Sequence, residues 1–164
     1  MRFNQGRYAK AIGIGIGIGY LVLGGMAAGG NGQTAVPEYR SANALDALVS
    51  TTEDGLVAHS ATADPAARTL IVRRERSGDV ELHERMNDVT IVRSGSAVMI
   101  MGGRLEGGRV TAPGEYLGGE IVGGRRYDLR PGDVLWIPAG VPHQMILPEG
   151  GSFTYLVVKS DAAP

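Results

Sequence analysis

The sequence predicts an all-β domain, a barrel or sandwich of short strands, and three observations carry that prediction. After Gly55 hydrophobicity alternates with a period of two over successive short runs. Turn-forming groups close these runs, among them Ser94-Gly95-Ser96, Gly102-Gly103, Gly107-Gly108, Gly123-Gly124, Pro131-Gly132-Asp133 and Glu149-Gly150-Gly151. Glycine supplies 26 of 164 residues, and it reaches backbone angles closed to other residues. Strands so closely spaced, each ended by turn chemistry, argue against βαβ units.

The elements follow in order. Residues 1–28 read as a signal peptide: Arg2, Arg7 and Lys10 precede an uncharged stretch, and Gly25-Met26-Ala27 offers small-x-small residues for cleavage. The stretch approaches the roughly 20 residues of a membrane-spanning helix, so a retained anchor is the competing reading. The glycine at every second position from Gly13 to Gly19 opposes a durable helix. No G-x-G-x-x-G occurs there, so these glycines are no dinucleotide fingerprint. Residues 29–54 form a linker and a short helix that Ser41 caps, with Leu45 and Leu48 on one side. The barrel spans 55–160, with strands expected at 56–60, 69–74, 80–84, 89–93, 97–101, 125–129, 134–137, 143–147 and 153–159.

Composition bounds the function classes. The length suits one domain. The absence of cysteine excludes disulfides and thiolate metal sites while leaving an oxidising compartment open. Removing the leader takes away three of 16 basic residues and none of the 17 acidic ones. The remaining domain is mildly acidic and has no basic run for nucleic acid. The leader places the protein in the periplasm or outside the cell.

The richest stretch runs from Pro131 to His143. Pro131 and Gly132 set a turn, Val134–Ile137 form a strand, and Pro138 ends it because proline has no N–H for the ladder. Gly140 lets the chain reverse before His143, which shares its strand face with Met145 and Leu147. A histidine in phase with apolar residues points inward.

Gly132, Pro138, Gly140 and His143 stand at the spacing of the second signature motif of the cupin superfamily, which this chain resembles. The first motif of that family supplies two histidines two apart, a glutamate and a glycine. This chain has Glu81 and His83, then Asp88, then Gly95 in the same register. Glu81 thus replaces the first histidine and Asp88 the glutamate, while Leu147 stands where many members carry asparagine. The resemblance covers about residues 78–147. It implies a single jelly-roll cupin barrel in which His83, His143, Asp88 and Glu81 hold a divalent metal ion.

Two imidazoles and a carboxylate suit Fe, Mn, Ni, Co or Zn and leave positions free for substrate or dioxygen. The implied function is metal-dependent action on a small oxygenated organic molecule, of dioxygenase, isomerase or lyase type. The alternatives are a non-catalytic module that binds a small ligand, and a structural barrel without ligand. Expected partners are a small molecule and no nucleic acid, with a membrane anchor if the leader is retained; a homodimer stays open.

Plainer readings compete at several positions. Val80 and Leu82 occupy the alternate face, so Glu81 and His83 alone would fit the wet side of a strand. His143 alone would fit a core histidine. His59 carries no motif and reads as structural. Met99, Met101 and Met145 read as core filling, and Trp136 as core or subunit interface. The Arg73–Arg76 run reads as a solvated strand end. Glu115, Tyr116 and Glu120 fall in a glycine-rich stretch that reads as an ordinary surface loop.

Overall fold

The structure, a computed structural model, describes residues 37–163. The signal segment expected at 1–28 lies outside the described residues. Helix α1 (Ala42–Leu48) starts at Ser41, whose Oγ accepts the Ala44 N–H. Its Leu45 and Leu48 pack with Val49, Ile71 and Leu156 in a small separate cluster. Among the described residues, no helix is long and apolar enough to cross a membrane.

The strands are β1 (Leu56–Ser60), β2 (Thr69–Arg74), β3 (Glu81–His83), β4 (Met86–Gly95), β5 (Ala97–Met101), β6 (Arg104–Glu106) and β7 (Arg109–Ala112). They continue with β8 (Glu115–Leu117), β9 (Glu120–Val122), β10 (Arg125–Leu129), β11 (Val134–Ile137), β12 (His143–Ile146) and β13 (Phe153–Asp161). One sheet runs in the order β1-β2-β13-β4-β11 and the other β10-β5-β12-β3-β8-β7, with β6 and β9 paired apart. The pairings are antiparallel.

The main core lies between the two larger sheets. Leu70 and Val72 on β2, Val92 on β4, Met99 on β5, Met145 on β12 and Phe153 on β13 all belong to it. Ile71, between Leu70 and Val72, joins the helix cluster instead. Alternation therefore buries β2 on both faces, one against the barrel interior and one against α1.

Two motif glycines have different physical reasons. At Gly95 (φ +80°) an added Cβ would stand 2.0 Å from the Ser152 carbonyl oxygen, so the end of β4 could not meet β13. At Gly140 (φ +78°) the space is open, and only the left-handed backbone requires glycine.

Three expectations need correction. The stretch from 104 to 122 is not a plain loop but four short strands, because the paired glycines mark the turns between arms too short to show alternation. Trp136 is 54% exposed and so is not core; it shares the open face of β11 with Val134, opposite buried Leu135 and Ile137. Arg74 is not solvated: it is buried, in phase with Leu70 and Val72.

Candidate metal centre

Sheet register assembles the site from two directions. On the six-stranded sheet His143 of β12 stands opposite Glu81 of β3, and His83 follows two residues along the same face. On the five-stranded sheet Lys159 of β13 stands opposite Asp88 of β4. These side chains meet between the sheets, where His83, His143 and Asp88 are all buried.

The imidazoles lie 5.4 Å apart between ring centroids. Nδ1 of His143 is 3.1 Å from the Val141 carbonyl oxygen, so it carries the proton and donates, leaving the Nε2 lone pair free. Nδ1 of His83 lies 2.5 Å from Glu115 Oε2, which fixes the same tautomer in that ring. Donor atoms of Glu81, His83 and His143 all fall within 4.8 Å of one another. His83 Nε2 and Glu81 Oε2 are 3.7 Å apart. Ligands each about 2.1 Å from one ion sit no more than about 4.2 Å apart; the His83–Glu81 pair meets that limit, and the group with His143 lies close to it. In tautomer and residue type the three residues fit a divalent ion, and their spacing is near what a shared ion needs.

Asp88 shares the cavity but has another partner. Lys159 Nζ donates to its Oδ1 at 2.8 Å and Oδ2 at 2.7 Å, while His83 Nε2 is 3.7 Å from Oδ2. Glu81 is likewise shared: Arg74 Nη2 approaches its Oε1 at 3.3 Å, and Arg74 Nε donates to the Tyr155 hydroxyl at 3.0 Å.

These surroundings set the protonation of the site. Burial pushes the His143 pKa below its ordinary value, against the pull of Glu81 and the bond to Val141. Burial raises the Tyr155 pKa, more than the neighbouring Arg74 charge lowers it, so the phenol keeps its proton. Burial also works against the Arg74 charge, but Tyr155 and Glu81 outweigh it and hold that pKa above the usual arginine value.

The cavity between these groups has a volume of about 50 Å³. A water needs only about 10–15 Å³ of such space, so the cavity has room for an ion together with a few waters or a small ligand group. Leu70, Val72, Met99, Met145 and Val157 form its apolar wall. Met99 and Met145 therefore both fill core and line the site. His59 is exposed on β1, away from this group.

Sequence reasoning missed Lys159, Arg74, Tyr155 and Glu115. A signal existed for three of them. Lys159 and Tyr155 alternate in phase with Phe153 and Val157, and Arg74 with Leu70 and Val72, so each faces inward by the argument applied to His143. For Glu115 no periodic signal exists. It reaches His83 only because β8 pairs with β3 and sets Glu115 opposite His83.

Comparison with known proteins gives the fold. Residues 122–163 match the family model described as AraC-like ligand binding domain. No curated protein matches the chain. TT1209 from Thermus thermophilus is 18% identical, over 71% of this chain and 93% of that one, with a TM-score of 0.51. The CENP-C cupin domain of Drosophila melanogaster is 13% identical, over 76% and 86%, with a TM-score of 0.50. KdgF from Halomonas sp. is 18% identical, over 66% and 83%, with a TM-score of 0.45. The chain has the cupin fold, which the likenesses to TT1209 and the CENP-C domain carry, and at these identities they carry the fold alone.

Proposed function

We propose that this protein is an exported cupin that holds a divalent metal ion on Glu81, His83 and His143 and acts on a small oxygenated organic molecule. The observation that carries the reading is the convergence of one carboxylate with two imidazoles whose outer nitrogens are already committed. A bound ion would supply Lewis acidity or redox chemistry toward a ligand oxygen, as in dioxygenases, isomerases and lyases.

The chain's own residues do the rest. Val141 and Glu115 hold the two rings in place. The Tyr155 hydroxyl accepts from Arg74 and keeps its own proton for a ligand oxygen. The apolar wall excludes water from around that contact and strengthens it. A cavity of this size favours a compact ligand. Asp88 would contribute a ligand only on leaving Lys159.

Metal analysis of protein purified without added metal, repeated on His83→Ala and His143→Ala, tests the reading. Both variants should lose most of the metal while keeping a cooperative melt, since the apolar core between the sheets extends well beyond the site, to Val92, Leu129, Leu135 and Phe153. Stoichiometric metal in both variants would end the metal proposal. Export rests on the Arg2–Lys10 leader and is read by N-terminal sequencing of native protein; a full-length cytoplasmic product would refute it.

A second reading is a module that binds a small ligand without turnover. The match of 122–163 to a ligand-binding domain model favours it, as does Leu147, buried in the core where many cupins carry asparagine. Bound metal with no turnover across a panel of small oxygenated compounds would move the balance to this reading.

A further inference from the structure

Lys159 is placed as a cation in a cation site. It lies one strand period beyond Val157 on the inner face of β13, and its side chain is only 10% exposed. An ammonium has three protons to donate. Here it has three acceptors: Asp88 Oδ1 at 2.8 Å, Asp88 Oδ2 at 2.7 Å and His83 Nε2 at 3.1 Å. The last contact matters most. Nδ1 of His83 is committed to Glu115, so the ring has one in-plane lone pair left, and Lys159 is donating to it. A metal ion on His83 needs that same lone pair. One lone pair cannot serve both, and two cations in a poorly solvated cavity repel each other strongly.

We propose that Lys159 is a built-in competitor for the metal: its ammonium occupies the lone pair of His83 in the metal-free barrel, and metal binds by displacing it from Nε2. The inference rests on the metal reading above and deepens it. Asp88 has the role of retaining the displaced ammonium, since two of its three hydrogen bonds are to that carboxylate. Without the lysine, Asp88 would be a buried carboxylate lacking its counter-ion, so the pair stabilises the empty site. The lysine thus protects the metal-free fold while lowering the affinity for metal.

Opposite effects on fold and affinity make this testable. Lys159→Met keeps the apolar stem and removes the charge. Lys159→Met/Asp88→Asn also removes the unpaired carboxylate, which guards against loss of fold and against Asp88 joining the ligand set. Cobalt(II) chloride is titrated into the metal-stripped full chain by calorimetry, with thermal melts of each protein with and without cobalt. Both variants should bind cobalt about tenfold or more tightly than the parent, which corresponds to removing about 1.4 kcal/mol of competition. The metal-free melt of Lys159→Met should fall, and cobalt should raise it by more than in the parent.

Equal or weaker affinity in both variants would overturn the competitor role while leaving the metal reading in place. A gain in Lys159→Met alone, absent from the double variant, would also overturn it, since the gain would come from Asp88 as a new ligand. Binding by the variants and not by the parent would support it in its strongest form and remove the metal reading for the parent. No binding by any of the three would overturn both.

Discussion

Compare the inner face of β3 and β12 with that of β4 and β13. The first presents Glu81, His83 and His143, and the outer nitrogen of each imidazole is held by a group that is not itself a candidate ligand. The second presents Asp88 and Lys159, joined to each other, with Arg74 of β2 on the Tyr155 hydroxyl beside them. One face offers lone pairs; the other offers charges that neutralise one another, and from it Lys159 reaches across to the lone pair of His83. The charged face therefore bears mainly on stability and the imidazole face on ligand affinity, and Lys159 is the group that couples the two.

The largest expected effect breaks the charged face. Arg74→Met leaves Glu81 without its buried cation and the Tyr155 oxygen without its donor. Removing one partner of such a pair costs about 3–5 kcal/mol. Chemical denaturation should show a clearly lower midpoint for Arg74→Met than for His143→Ala, which removes a group from the other face. Equal losses would mean that the two faces do not divide the work.

A middle-sized effect sharpens the other side. Glu115→Gln keeps a side chain of the same shape beside His83 but removes the carboxylate that orients and polarises the ring. Metal affinity should fall by about 10–100-fold, while the thermal midpoint of metal-free protein changes little. A large drop in midpoint with unchanged affinity would make Glu115 a structural residue.

The smallest effect is a pH dependence. Burial depresses the His143 pKa, so the unfolded chain takes up this proton more readily than the native barrel. The contribution is complete above about pH 6.5 and is lost as pH falls below that value toward the folded pKa. In metal-free protein, His143→Gln should show a shallower loss of stability below about pH 6.5. Identical slopes would assign that proton uptake to another group.

Much of this molecule is legible from spacing. The turn groups and alternation locate most of the long strands, and the register Gly132, Pro138, Gly140, His143 locates the reversal that carries one imidazole. Trp136 and the short arms between 104 and 122 are not legible in this way. A four-residue strand at a sheet edge buries one face only, and three-residue arms have too few positions to show a period. The same limit hides Glu115.

By itself the sequence determined the phase of each strand: which side chains lie together on one face, His143 with Met145 and Leu147, Lys159 with Tyr155 and Val157. That follows from the alternation of Cβ directions, a local property of extended backbone. Only the tertiary structure decided which faces meet. Strand pairing set His143 against Glu81, Lys159 against Asp88 and Glu115 against His83, over separations of 32 to 71 residues for the side-chain contacts that result. Whether His83 lies on a wet surface or in a buried site, and whether its lone pair is free or already held by a lysine, depends on those long-range pairings, for which a one-dimensional pattern contains no term.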